Sequence, residues 1–476
     1  MVTKRALAGG VVGVALGAWL SSRRPASVRR QRNVDVAKLG SRVGADWAAH
    51  RARRVFASAE RREQLDTEFE LRSAEQVVAA LGNMKGALMK LGQMASYVDE
   101  SVPAPIREAL AQLQQDAPPM SAELAAQVIE EELRRQPDKI FAEWDPVPIA
   151  AASIGQVHRA ITHDDVAVAV KVQYPGVDEA IRADLDNSAA LTNFASMAFP
   201  GFDAEPFIAE LRSRLLEELD YRREAENQQL FVDFYEGHPF IAIPRVVPEL
   251  SASRVLTTEL AAGARFAELD NWSQDERDLA GEAIFRFVFR GLYHMHAFNG
   301  DPHPGNYLFS PGGRVTFLDF GLVKRFDPTE ITMFERMAKA LVIERDIPTY
   351  KAVLEESGVL KPGLPMSDDR IVDYFGYFYE PVLDDGEWTF TTDYASQALA
   401  RLMPMPGGEF PEIRSFGNLP PAFVLIQRIN LGMSAVLAHL HAAGNWRAIA
   451  EEIWPFVDGP PSTELGRQEA AWRATR

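Results

Sequence analysis

Asn299-Gly300-Asp301-Pro302-His303-Pro304-Gly305-Asn306, followed thirteen residues after Asn306 by Asp319-Phe320-Gly321, decides how this chain is read. Two prolines and two glycines force a rigid, non-helical loop, and such loops position functional groups more often than they build core. Asp319 ends the apolar run Val315-Thr316-Phe317-Leu318, which places its carboxylate at the tip of a buried strand. The amide of Asn306 and the carboxylate of Asp319 are hard oxygen ligands suited to Mg²⁺, a cation that also keeps waters and takes phosphate oxygens. Asp301 is the natural group to accept a hydroxyl proton or orient a water. Taken singly, Asp301 opening a turn or Asp319 capping a segment is the plainer account. D-x4-N and then D-F-G in one short stretch leaves that account little room. His303 has no partner His at usable spacing and reads as a loop-packing residue.

Upstream, 154–161 and 166–173 are β-rich runs separated by Thr162-His163-Asp164-Asp165, which predicts a hairpin whose second strand ends in Lys171. A Lys closing an apolar strand is often a solvated edge. Here it follows a hairpin and precedes a helix, where a kinase-like fold places the Lys that pairs with α- and β-phosphates. Such a Lys needs a carboxylate, and Glu218, Asp220 and Glu224 offer three, with Asp220 and Glu224 expected on one helix face at i, i+4. Further strands are expected at 240–247, 254–259, 307–309 and 315–318. Ser121 is a plausible N-cap for a helix to about residue 135, with Leu124 and Val128 on its inner face. Earlier still, 34–118 reads as helical, most clearly at 81–98. A strand-rich unit (121–260) thus precedes a helix-rich one (261–476), with a helical extension (34–120) and an arm (1–33) in front.

Composition bounds the rest. The chain has 476 residues, 47% hydrophobic and 25% charged, with no cysteine, which excludes disulfides, thiolate metal sites and a Cys nucleophile. A net charge of −17 argues against nucleic acid as a partner of the whole chain. Residues 1–62 hold fourteen Lys or Arg against three acids, so they carry +11 and the remainder −28. A basic arm on an acidic body points to an anionic surface, with phospholipid the simplest. Within it, 6–20 is apolar and uncharged but shorter than the ~20 residues that span a bilayer. A short anchor or membrane contact, a tail and a cleaved signal all remain open. An inserted arm would keep its Arg-rich flank and the rest of the chain on the cytoplasmic side.

Taken in order, these motifs resemble the ABC1/AarF/UbiB atypical kinases, the group that includes the coenzyme Q kinases. The resemblance runs from about residue 81 to 322. It rests on Lys85-Gly86-Ala87-Leu88-Met89-Lys90-Leu91-Gly92-Gln93, Ala150-Ala151-Ala152-Ser153-Ile154-Gly155-Gln156, the strand ending at Lys171, Glu218-Leu219-Asp220 with Glu224, and the D-P-H-P-G-N and D-F-G loops. It implies an α+β, two-lobed protein-kinase-like fold with an N-terminal helical extension. It implies ATP or ADP with Mg²⁺ as cofactors, Lys171 on the phosphates and paired with Glu224, Asp301 as the catalytic-loop Asp, and Asn306 and Asp319 as metal ligands. It also implies Thr258, Glu259 and Leu260 near the adenine, Ala150 to Ser153 over the phosphates, and a cluster of Lys90, Gln93, Glu218 and Asp220 that limits ordinary kinase activity.

Two departures from protein kinases stand in the residues themselves. The phosphate loop is Ala-rich rather than Gly-rich, so it is stiffer and approaches phosphate less freely. Gly321 leads within a few residues into a helix near Thr329, with no A-P-E and no long activation segment, so the platform for a peptide substrate is missing. A lipid, a prenylated quinone precursor or another small molecule at a membrane is the more coherent target, with lipid or quinone biosynthesis enzymes as further partners. The alternatives are a nucleotide-sensing scaffold for such enzymes and a soluble phosphotransferase of the choline or aminoglycoside type; the Lys90/Gln93 helix and the Ala-rich loop argue against the latter.

Overall fold

The structure, a computed structural model, describes residues 120–152, 154–186, 216–300, 302–363, 366–402 and 421–476. The arm at 1–33, the helical extension up to residue 119, Lys90, Gln93, Ser153 and Asp301 lie outside the described residues. Contacts divide the chain into two compact units, Met1–Leu88 with Glu179–Ala209, and Met89–Asp178 with Glu210–Arg476. The elements that follow belong to the second unit.

Its first half is built on an antiparallel sheet. Strands β1 (Glu143–Ala152), β2 (Gly155–Ile161), β3 (Ala167–Gln173) and β5 (Val255–Glu259) lie in the order β1-β2-β3-β5. The expected hairpin is present: Thr162 N donates to Val166 O, and Val157 pairs with Lys171 across β2 and β3. Alternation puts Val168, Val170 and Val172 in the core and turns Lys171 to the other face. β1 is an edge strand, so it tolerates Pro148, where the register shifts. Helix α1 (Ala122–Leu133) covers the sheet, with Ser121 as its N-cap. Its inner face differs from expectation: Ala125, Val128 and Ile129 are buried while Leu124 is exposed, because the burying stripe is set one position further along. Arg254, beside β5, ties α1 down through Glu132 at 2.7 Å and Glu131 at 2.9 Å.

Helix α2 (Tyr221–Phe234) belongs to both halves. It starts later than a face shared by Asp220 and Glu224 requires: Asp220 is its N-cap and accepts from Arg222 N. The broad strand expected at 240–247 shrinks to β4 (Ile241–Ala242), with one bridge from Val246 to Thr258. A second sheet runs in the order β4-β9-β8-β6, with β6 Ala264–Arg265, β8 Tyr307–Ser310 and β9 Arg314–Phe317.

The second half is helical, as expected. Helix α3 (Gln274–Arg290) is its axis and passes into a π-turn, Gly291–Met295. His296, at φ 52°, then turns the chain into β7 (Ala297–Asn299), which pairs with β10 (Val323–Arg325). The two short strands bracket the D-P-H-P-G-N loop and the D-F-G turn, and periodicity over three residues gives no warning of them. Helices α4 (Pro328–Ala338), α5 (Ile347–Glu356), α6 (Asp368–Phe375) and α7 (Thr392–Leu402) follow, and α8 (Pro421–Leu440), α9 (Trp446–Ile453) and α10 (Glu464–Arg473) pack against α3.

A buried charge cluster joins α3 to α9 and α10. Arg286, fully buried, meets Glu282 at 2.7 Å, Glu452 at 2.8 Å and Glu469 at 2.9 Å, and Arg290 meets Glu469 at 3.0 Å. Gly466 leaves room for it, since a Cβ there would collide with Arg286 and Glu452. Past this anchor the chain folds back on α2. Trp472 Nε1 donates to Glu236 O at 2.9 Å and its ring packs on His238, while the Arg476 guanidinium donates to the carbonyls of Asp233 and Phe234 at the end of α2. A cation on those carbonyls complements the helix dipole.

Candidate functional site

Lys171 sits where the two halves meet. Its ammonium lies 2.7 Å and 2.9 Å from the Glu224 oxygens and 3.3 Å from Asp319 Oδ2, and 5.0 Å from the centre of the Tyr221 ring. β3 delivers the Lys, the first turn of α2 delivers Glu224, and the segment after β9 delivers Asp319. Of the three carboxylates weighed for Lys171, Glu224 is the one it takes from α2, because Asp220 is spent on the helix cap. Glu218 is buried at the turn before it.

Burial opposes a charged Lys171, but Asp319 and Glu224 outweigh it and hold the amine well above its ordinary value. Burial pushes Glu224 up to about 7, with Lys171 pulling the other way and Asp319 adding to the rise. Among the described residues the Lys171 amine faces two acids, Glu224 and Asp319.

Asp319 is held from several directions. Its Oδ1 accepts from Gly321 N at 2.9 Å, and its carbonyl accepts from Asn299 Nδ2 at 2.6 Å. Phe320 is fully buried against Phe231 of α2, with ring centres 5.0 Å apart, and its carbonyl accepts from Asn227 at 3.2 Å. Asn306 lies alongside, its carbonyl accepting from Leu318 N at 2.9 Å. Asp301 lies outside the described residues, but its neighbour Gly300 is bonded to Leu322 O at 2.6 Å. His303 does pack the loop: its Nδ1 accepts from Gly305 N. Asn299 and Asn227 were missed. Both are polar residues beside motifs, and only their hydrogen bonds to the D-F-G backbone reveal a role.

A cavity of about 830 Å³ opens from this cluster. Ile149, Ala150, Val157 and Ala169 wall one side, and Thr258, Glu259 and Leu260 line another. Pro304, Gly305 and Leu318 line it from the second half. The Glu259 carboxylate accepts from Arg245 N at 3.2 Å, and the backbone N–H groups of Glu259 and Leu260 donate to Arg245 O and Ala167 O. The Ala-rich segment is not a free loop: Ala150, Ala151 and Ala152 are the last residues of β1, paired with Val157, Gln156 and Gly155. Ala150 lines the cavity; Ser153 lies outside the described residues.

The donor set can be tested against Mg²⁺. Among the described residues no group of three or more His, Asp or Glu forms a metal cage. The Asp319 carboxylate beside Lys171, with Asn306 in the adjoining loop, offers hard oxygen donors that fit a cation drawing its other ligands from phosphate and water.

Residues 112–354 match the ABC1 atypical kinase-like domain, the family whose motif order the sequence resembles. The chain belongs to the ABC1 atypical kinase-like family. Among ABC1 relatives it is 34% identical over 341 residues to the mitochondrial atypical kinase COQ8B of Rattus norvegicus, covering 70% of this chain and 63% of that one. It is 31% identical over 265 residues to the mitochondrial atypical kinase COQ8 of Saccharomyces cerevisiae, covering 55% and 53%. The matches thus span little more than half the length of these relatives. A solved structure of Rv3197 from Mycobacterium tuberculosis, in complex with erythromycin, superposes with a TM-score of 0.60 at 31% identity and covers 84% of this chain and all of that one. The α+β, protein-kinase-like fold is therefore that of an ABC1 atypical kinase-like domain. Among the described residues no helix is long and apolar enough to cross a membrane.

Proposed function

We propose that the chain binds Mg–ATP in this cavity and acts as an atypical kinase or ATPase on a small or lipid molecule, of the isoprenoid quinone type, at the cytoplasmic side of a membrane. The observation that carries the reading is the clasp of Lys171 on Glu224 and Asp319 at one end of the cavity. Lys171, fixed by Glu224, takes the α- and β-phosphates, and Thr258 to Leu260 border the adenine. Asn306 and Asp319 would hold Mg²⁺, which when bound supplies the charge that neutralises the phosphate oxygens. Asp301 accepts the proton of the acceptor hydroxyl or orients a water.

The membrane target is supported by the +11 arm and by the short run Leu322–Asp327 between Gly321 and the helix at Pro328. That run leaves no room for a peptide platform. Purified protein with Mg–ATP, assayed with and without anionic liposomes, tests both halves of the reading. Turnover that liposomes raise and Asp319→Asn abolishes upholds it, and turnover that survives Asp319→Asn sinks it. Deleting residues 1–32 is expected to remove the liposome effect while leaving basal turnover.

A further inference from the structure

Gly432 lies inside the long helix α8, where glycine is the poorest helix former after proline. A Cβ at this position would run into Pro302 Cγ, with Pro302 Cβ and Cδ each 3.4 Å away. Pro302 follows Asp301, and its ring is rigid, so it cannot yield as a long side chain would. The rest of the loop is already tied. Gly300 N is bonded to Leu322 O at 2.6 Å, Asn306 N to His303 O at 2.8 Å, and Gly305 N to His303 Nδ1 at 2.9 Å. α8 is the floor on which this tied loop rests. Seven residues on, two turns along the same helix face, His439 joins the lining of the nucleotide cavity and packs its ring 5.0 Å from that of Phe266. One helix thus underlies both the loop and the cavity.

We infer that Gly432 is a positioning residue for the loop that carries Asp301: its missing side chain sets how deeply Pro302 seats. This rests on the reading of Asp301 as the group that handles the acceptor's proton. Gly432 touches no reacting atom, and its effect travels through Pro302 alone. Placing a methyl there improves the helix locally and lifts the loop.

The test is a double-mutant cycle. Gly432→Ala is expected to cut turnover by roughly tenfold or more while Mg–ATP affinity stays within about twofold, the mark of a group that acts on the chemical step. Pro302→Ala removes the ring atoms that the new methyl would strike. In that background Gly432→Ala is expected to cost nothing further, as coupling through one contact requires. Turnover unchanged by Gly432→Ala, or an equal loss in both backgrounds, overturns the inference. If the parent protein shows no ATP turnover, the proposed function fails by itself, and hydrogen exchange at Gly305 and Asn306 then decides. Faster exchange in Gly432→Ala upholds the seating role, and unchanged exchange overturns it.

Discussion

Lys171 and Glu224, 53 residues apart in the chain, meet through two hydrogen bonds of 2.7 Å and 2.9 Å. Lys171→Met removes the amine that both Glu224 and Asp319 meet. Mg–ATP affinity is expected to fall more than about 30-fold, matching the ~2 kcal/mol or more lost when one partner of a buried charge pair is removed. Isothermal titration calorimetry with Mg–ATP reads this directly, and affinity within a few-fold of the parent would count against a phosphate-binding role for Lys171.

Asn299 holds the Asp319 carbonyl at 2.6 Å. Asn299→Leu keeps the volume but leaves the Asp319 backbone free to shift. Turnover is expected to drop by up to roughly 10²-fold, the cost of about 1 Å of misplacement near the chemistry. Steady-state kinetics check it; a change in KM alone would place Asn299 in nucleotide binding instead.

Arg286 balances three buried carboxylates. Replacing it with Met, which approximates the stem but not the charge, is expected to cost about 3–5 kcal/mol, the usual penalty for stranding buried partners. Urea denaturation measures it. Arg336→Met offers the contrast: its bridge to Glu356 is exposed, so the loss is expected to stay below about 1 kcal/mol.

The same cluster sets a pH dependence. Burial lowers His238 below its ordinary 6.5, so an unfolded chain takes up that proton first and stability starts to drain as pH falls through 6.5. Glu469 lies well below its ordinary 4.5: burial pushes it up, but the His238, Arg290 and Arg286 contacts win. Its share of stability is complete above 4.5 and is lost as pH falls below that value. Burial raises Glu282, which works in the opposite sense and softens the slope. Between pH 6.5 and 4.5 the raised Glu224 and Glu282 oppose the loss from His238, whereas below 4.5 the melting temperature is expected to fall, and in Glu469→Gln that limb is expected to flatten.

What was legible in the sequence was local. The β2–β3 hairpin follows from two apolar runs and a polar turn, and the reading proposed for Asn306 and Asp319 rests on residue types within thirteen positions of each other. The errors arise where geometry depends on one residue of phase. Asp220 has the right spacing from Glu224 for a shared face, yet serves as a cap, because Ser, Thr, Asp and Asn compete for helix starts as readily as they sit inside them. Leu124 is more apolar than Ala125, but the small side chain is the one that lets α1 approach the sheet. The Ala run reads as a loop in composition and is strand by pairing. Arg286 and Glu469 are 183 residues apart, and no periodicity announces such a contact.

The grip of Trp472 and Arg476 on the end of α2 bears on how the molecule is made. α2 carries Glu224, yet the contact from Trp472 that fastens its far end to Glu236 spans 236 residues. As the ribosome works from the N-terminus, β3 and α2 emerge long before α10 exists to hold them. Loop closure over so many residues is slow relative to local helix formation. The far end of α2 is thus expected to be fastened only once residues 463–476 have been synthesised, long after Lys171 and Glu224 have emerged.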